Sequence, residues 1–330
     1  MGSAPKLSDA HCIGLKIGQI WNGDTVSEAL RAVFVQTGQP CAILKDGGSD
    51  LARGVTLLLK ETPGISVLQD IGHITANLLK AQYAKAPLFL KLLKLADSAR
   101  KRLCQTDLST LRPPKIRTKG RFQAISKLVE WANTALSLID GAGRAKNNSL
   151  KSRLRKSLNG LSQMRFFLIR FRNDCNLMNQ VQEVLKNQGL NQTSYKKAME
   201  ILAGMPVRSK LREGMEAWLK KHIRIHCQMS IGQTPLIVSS DIIESLMGML
   251  KTVIERHPTP EFTTLALATP LLCGNPTLES ITKAITSCSH KTLTCWKNGN
   301  RENTNNFRKQ ALLNELKTPD LPKTLPDKAA

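Results

Sequence analysis

The stretch Cys41–Gly54, CAILKDGGSDLARG, decides how this chain of 330 residues reads. Cys41-Ala42-Ile43-Leu44 is a short apolar strand that delivers Lys45 and Asp46 to its carboxyl end. A Gly47-Gly48 turn follows, and Ser49 can cap a helix whose apolar positions are Leu51, Val55, Leu58 and Leu59. In an open α/β sheet the carboxyl ends of strands are where chemistry sits, because side chains there meet solvent while the strands hold them rigidly. Two glycines after the acid leave room for a bulky partner. Asp46 is therefore a candidate metal-binding or acid/base residue. The alternative is an aspartate that simply caps the next helix.

On the amino-terminal side, His11–Ile20 alternates as a strand does, with Ile13, Leu15 and Ile17 on one parity. Asn22-Gly23-Asp24 is turn chemistry, and Thr25 can cap a helix that ends near Gly38. On the carboxyl side, Pro63-Gly64 breaks the chain, Ile65–Leu68 is a strand ending at Gln69-Asp70, and a helix with Ile74, Leu78 and Leu79 on one side follows. Strand–helix–strand–helix–strand–helix in so short a space implies a parallel sheet, with Asp46 and Asp70 on the same edge of it.

Beyond residue 83 the character changes. Ala86–Leu103 is an apolar helix decorated with Lys and Arg, Leu108–Gly120 holds Pro113-Pro114 as a basic linker, and helical patterns follow at 121–139, 149–178, 193–203 and 208–227. Between Gly141 and Asn173 every charged side chain is basic: Arg144, Lys146, Lys151, Arg153, Arg155, Lys156, Arg165, Arg170 and Arg172. A solvated helix face normally mixes signs, so this run is a candidate for phosphate contact, with a merely solubilising basic helix as the alternative. His222-x-x-x-His226-Cys227 has a helical spacing that can hold zinc if Cys288, His290 or Cys295 come round to it; a basic amphipathic helix end is the simpler reading. Trp131, Trp218 and Trp296 are either core residues or platforms for a flipped base.

In Ile231–Lys251, Leu236-Ile237-Val238 is an extended approach, Ser239 or Ser240 supplies a cap, and Ile243, Leu246 and Leu250 form an apolar stripe. Glu244, one turn in, either complements the helix dipole or points past that stripe into a cleft. Phe262–Leu272, Leu278–Ser287 and Asn303–Leu316 are helical patterns, the last two parted by Asn298-Gly299-Asn300.

Composition narrows the function classes. Lys and Arg number 48 against 25 Asp and Glu, a net charge of +23, which points to a polyanionic partner, nucleic acid before others. No apolar run is long enough to span a bilayer, and the amino end is neither a signal peptide nor a myristoylation site, Lys6 standing where Ser or Thr is needed. Eight cysteines without a CxxC read as reduced core residues of a cytoplasmic protein.

AILKDGGSDLARG, then VLQDIGHITANLLK, then a long helical stretch, then TPLIVSSDIIESLMGMLK together resemble the DDE-type transposases of bacterial insertion sequences. The resemblance covers roughly residues 5–256. It implies an α/β fold: an incomplete ribonuclease H-like core with parallel strands, a large all-α insertion and a helical carboxyl-terminal region. The implied division is core over 1–82 without its first strands, basic helical insertion over 83–235, glutamate-bearing and carboxyl-terminal helices over 236–316, and a disordered tail over 317–330. By resemblance Asp46 and Glu244 are the second and third catalytic acids and metal ligands, and Asp70-x-x-His73 matches an accessory acidic–histidine element.

The family's reaction is phosphoryl transfer at DNA with two Mg²⁺ ions about 3.5–4 Å apart. The first catalytic aspartate has no counterpart here, since Asp9 and Asp24 only flank the 11–20 stretch. The chain thus looks like the carboxyl-terminal portion of a transposase, with little strand-transfer activity expected by itself. The alternative is a non-catalytic basic DNA-binding protein of the same descent. A third reading is a partner-binding helical protein, such as a regulator that poisons a full-length transposase by forming mixed oligomers with it. The expected protein partners are a second copy of the chain, as a homo-oligomer, or a full-length transposase.

Overall fold

The structure is a computed structural model that describes residues 9–116, 118, 120–140, 150–256, 266, 269–275, 277–302 and 304–317. Its described residues are mostly helical, with one small sheet of two parallel strands. The elements are α1 (Gly23–Thr37), β1 (Ala42–Lys45), α2 (Ser49–Glu61), β2 (Ser66–Gln69), α3 (Ile71–Tyr83), α4 (Pro87–Leu103), α5 (Ile125–Asp140), α6 (Leu150–Ser157), α7 (Arg165–Gln188), α8 (Gln192–Ala203), α9 (Lys210–Gln228), α10 (Asp241–Arg256), α11 (Leu278–Ser287), α12 (His290–Arg301) and α13 (Asn305–Lys317). The chain divides into two compact units. Among the described residues the first takes Cys41–Gly47 and Gly64–Ser240, and the second takes those from Asp9 to Pro40, Gly48–Pro63 and those from Asp241 onward.

In the first unit, β1 and β2 pair in the register Ala42 with Ser66 through Lys45 with Gln69. The core below them is built by α3, α4, α5, α7, α8 and α9. Apolar spacing decides which face each helix buries. In α7, Leu168, Phe171, Cys175, Met178, Val181 and Leu185 recur every three or four residues and are all buried, and α5 repeats the pattern with Leu128, Ala132, Ala135, Leu136 and Ile139. Burying one such side chain contributes about 1.5–3 kcal/mol. Tyr83 meets Phe171 edge-on at 4.6 Å and donates its hydroxyl hydrogen to the buried carboxylate of Asp174. Burial, that bond and the nearby negative charge raise the Tyr83 pKa, and burial beside Asp174 pushes the Cys175 thiol up to about 12.

The corner after α7 is made by Gly189, at φ +65°, in the left-handed region that suits glycine. Leu190 then forms an isolated antiparallel bridge with Leu236, with N···O distances of 2.8 and 2.9 Å. The extended segment after Leu236 continues to the sheet edge, where Val238 O accepts the Ile71 N–H at 2.8 Å, satisfying a donor that the first turn of α3 leaves open.

In the second unit α1 and α2 pack closely enough that a Cβ on Gly54 would lie 2.5 Å from Val26 Cγ1 and 2.9 Å from Gly23 O. Glycine at 54 is what permits that approach. Arg31 grips Glu61 with two hydrogen bonds of 2.8 and 3.0 Å across the pair. The N-cap of α1 is Asn22, which forms a capping box with Thr25.

Several expectations change. Residues 11–20 form no strand; Ile13 and Ile20 are 57% and 66% exposed, and no described strand pairs with the stretch. Alternation interrupted by Gly14 and Gly18 is not enough without a ladder partner. Helix α12 runs straight through Asn298-Gly299-Asn300, and its Ser289 cap accepts from Thr292 N–H. Of the eight cysteines only Cys175 is buried, all eight are unpaired with one another, and so the reading of core cysteines holds for one position. Most of the 262–272 pattern and the tail beyond Lys317 lie outside the described residues. Among the described residues no helix is long and apolar enough to cross a membrane.

Candidate functional site

Lys45 is opposite Gln69 in the parallel ladder, so Asp46 and Asp70 follow paired residues at the same sheet edge, where the sequence placed them. The Asp70 N–H donates to Lys45 O at 3.3 Å, extending the pairing by one step. The two acids differ in surroundings: Asp46 is exposed, whereas Asp70 is only 3% exposed.

Four hydrogen bonds converge on Asp70. Its Oδ1 accepts the His73 backbone N–H at 2.7 Å and lies 3.0 Å from His73 Nδ1. Its Oδ2 accepts the Ser240 N–H at 2.7 Å and the Ser240 hydroxyl at 2.9 Å. Burial by itself pushes the carboxyl up, but the N–H groups of Ser240 and His73, the His73 ring and the Ser240 hydroxyl together outweigh it and hold Asp70 below its usual value. Asp70 is the N-cap of α3 and also a clasp that ties α3 to the segment ending at Ser240. An ionised Asp70 can only accept, so a neutral His73 carries its hydrogen on Nδ1 and turns Nε2, as acceptor, to the Gln123 amide nitrogen at 3.1 Å.

Glu244 is exposed on the first turn of α10, where a negative charge suits the positive end of the helix. It belongs to the second unit and Asp46 to the first. The resemblance implies Mg²⁺, a hard cation that wants carboxylate oxygens and waters. Asp70 does not fit that role, because both of its oxygens are already saturated by donors. Among the described residues no group of three His, Cys, Asp or Glu is placed to hold a metal ion.

Of the basic run, Arg144 and Lys146 lie outside the described residues, and Lys151 is in α6. Arg153, Arg155 and Lys156 are exposed on α6, and Arg170 and Arg172 on α7. Arg153 pairs with Asp107 at 3.0 Å, and Arg165 pairs with Asp140. Both acids precede the run in sequence, so its apparent purity of sign is a property of the window; such exposed pairs contribute little, about 0–1 kcal/mol. The fold adds residues that the run did not include. Arg102, in the last turn of α4, donates from Nη1 to Lys156 O at 3.3 Å. That contact joins the basic ends of two helices, Arg100, Lys101 and Arg102 on α4 with Arg155 and Lys156 on α6. The Lys/Arg decoration at the end of the 86–103 pattern was the available sign of it.

His222 and His226 are both engaged by protein groups. His222, fully buried, takes the Gln69 N–H on Nε2 at 3.0 Å and donates from Nδ1 to Trp218 O at 2.8 Å, while His226 Nε2 lies 2.9 Å from Thr234 O. These contacts support the simpler reading over zinc. Trp218 is buried and stacked on His222 at 4.1 Å, and Trp131 donates to Leu111 O at 2.8 Å, so both are structural. Comparison of the chain with protein families, with characterised proteins and with solved structures finds no match.

Proposed function

We propose that this chain is a DNA-binding protein of transposase descent that grips backbone phosphates through the basic ridge at the ends of α4 and α6. The observation that carries the reading is the Arg102–Lys156 contact, which gathers cations from helices 54 positions apart onto one surface of a chain with net charge +23. Guanidinium and ammonium groups on phosphate oxygens position a duplex without reading its bases, so binding is insensitive to sequence and steep in salt. The parallel β1–β2 pair with an acid after each strand supports assigning the sheet to a ribonuclease H-like core.

The test is duplex binding, by fluorescence anisotropy, as a function of salt. Replacing Arg102, Arg155 and Lys156 together by Gln should reduce the slope of log K against log salt by about 2.7, at roughly 0.9 per lost phosphate contact. An unchanged slope, or no binding by the parent, would overturn the assignment. The exposed position of Asp46 at the strand edge favours a second reading, transposase-type DNA transesterification. Magnesium-dependent nicking of plasmid DNA that disappears in Asp46→Ala and in Glu244→Ala would establish it over the non-catalytic one.

A further inference from the structure

A second polar feature lies apart from the ridge. Between α3 and residues Thr118 and Gly120–Gln123 is a cavity of about 410 Å³, within the range of about 300–1,000 Å³ of small-molecule sites. Its polar lining is His73, Asn77, Lys80, Thr118, Arg121 and Gln123. His73, Asn77 and Lys80 are one or two turns apart along α3, so a single helix face presents them together. No Asp or Glu is among the described lining residues, and Asp70, which accepts from His73, has both oxygens occupied. Two full cations, Lys80 and Arg121, therefore line this space with no carboxylate among its described lining residues.

Arg121 supplies the further sign. Its Nε–H is shut off from solvent and has no hydrogen-bond partner among the described residues, a condition that folded proteins avoid for buried donors. The neighbouring donors are arranged to complement it. The Asp70–His73–Gln123 chain fixes the imidazole and engages the amide nitrogen of Gln123, leaving Lys80, Asn77, Thr118 and the guanidinium of Arg121 to address an occupant. A group with several acceptor oxygens and more than one negative charge satisfies such a set, and a guanidinium matches it with parallel N–H bonds.

We propose that this cavity is a binding site for a phosphate monoester, held by Arg121 and Lys80 and bounded by the His73–Gln123 pair. The cavity is roomy enough for a nucleoside as well as its phosphate. The same chemistry is offered by a free nucleotide and by the 5′-phosphate at a nucleic-acid end. The site is independent of the ridge on α4 and α6, and neither claim requires the other.

The experiment is calorimetric titration of the full chain with inorganic phosphate and with deoxyadenosine 5′-monophosphate, and with a short single strand bearing either a 5′-phosphate or a 5′-hydroxyl. Saturable binding of phosphate or nucleotide, weakened roughly tenfold or more in Lys80→Gln and in Arg121→Gln, is expected. Lys80 is exposed, so its substitution keeps the fold even if that of Arg121 does not; circular dichroism checks both. Preference for the 5′-phosphorylated strand over the mononucleotide assigns the site to nucleic-acid ends, and the reverse preference assigns it to free nucleotides. Repeating the phosphate titration on the ridge variant, Arg102→Gln with Arg155→Gln and Lys156→Gln, separates the two claims, because pocket binding should persist there. No saturable binding by the parent, or affinities unchanged in both pocket variants, would sink the proposal.

Discussion

Asp70→Ala is the perturbation whose cost the structure lets one work out most directly. The carboxylate is 3% exposed and accepts from the His73 N–H, the His73 ring, the Ser240 N–H and the Ser240 hydroxyl. Alanine removes the N-cap of α3, worth about 1 kcal/mol. It also strips the Ser240 N–H of its acceptor, and a buried donor left unsatisfied costs about 1–3 kcal/mol. The Ser240 hydroxyl and the His73 ring can turn toward water, so they add little. The expected loss is about 2–4 kcal/mol, a large part of the roughly 5–15 kcal/mol that holds a domain folded. Urea unfolding followed by far-ultraviolet circular dichroism in EDTA measures it, with an unchanged m-value showing that the folded state is otherwise intact. Asp70→Asn keeps one acceptor oxygen and should lose about half as much. The opposite outcome is informative. Were Asp70 a metal ligand, its charge would be a liability without metal, and Asp70→Ala would be as stable as the parent in EDTA or more so; that result would refute the clasp.

Acid should unfold the first unit in two stages. Burial, reinforced by Lys221, holds His222 below its usual value near 6.5 despite the opposing pull of the Trp218 carbonyl, so the unfolded chain takes up this proton at higher pH than the folded one. The corresponding stability is complete above about 6.5 and falls as pH drops below it; Asp70, held below 3.8, adds a second loss only under that value. Melting temperatures from pH 4 to 8 should decline on the acid side, with a shallower decline between pH 5 and 6.5 in His222→Gln; a rise on acidification through pH 6 would contradict the burial argument. At the corner after α7, Gly189→Ala would place a Cβ 2.7 Å from Pro235 Cβ and 2.9 Å from Leu236 O at a φ of +65°. A loss of about 1–3 kcal/mol in calorimetric stability is expected, and an unaltered melting temperature would show that the Leu190–Leu236 bridge yields without strain.

Local signals carried the sequence reading a long way. The order β1, α2, β2, α3 follows from apolar spacing punctuated by Gly47-Gly48 and Pro63-Gly64, and most helices from Pro87 to Gln228 follow from three-and-four periodicity. The single 149–178 pattern, however, is two helices, α6 ending at Ser157 and α7 starting at Arg165, with Gly160 at φ +97° between them. What stayed hidden is non-local. Ser240 and Asp70 stand 170 positions apart, and His222 reaches Gln69 across 153, so no window of sequence shows either bond. Asp107 and Asp140 compensate a run of cations that they do not belong to. The 11–20 stretch had the right alternation but found no strand to pair with, and Asn298-Gly299-Asn300 had turn composition inside a helix whose cap lies nine residues upstream at Ser289.

The path of the chain between its compact units has a practical consequence. Among the described residues it crosses after Pro40, Gly47, Pro63 and Ser240, so β1 enters the first unit as the short visiting segment Cys41–Gly47. A single protease nick in the turn before or after that segment would not release a unit, since each is stitched from separate lengths of polypeptide. A fragment starting at Gly64 would keep the helical body of the first unit yet leave β2 with a bare edge, ready to recruit a strand from a neighbouring copy. Its natural complement is a synthetic peptide spanning Pro40 to Gly48, which would restore the lost ladder in trans.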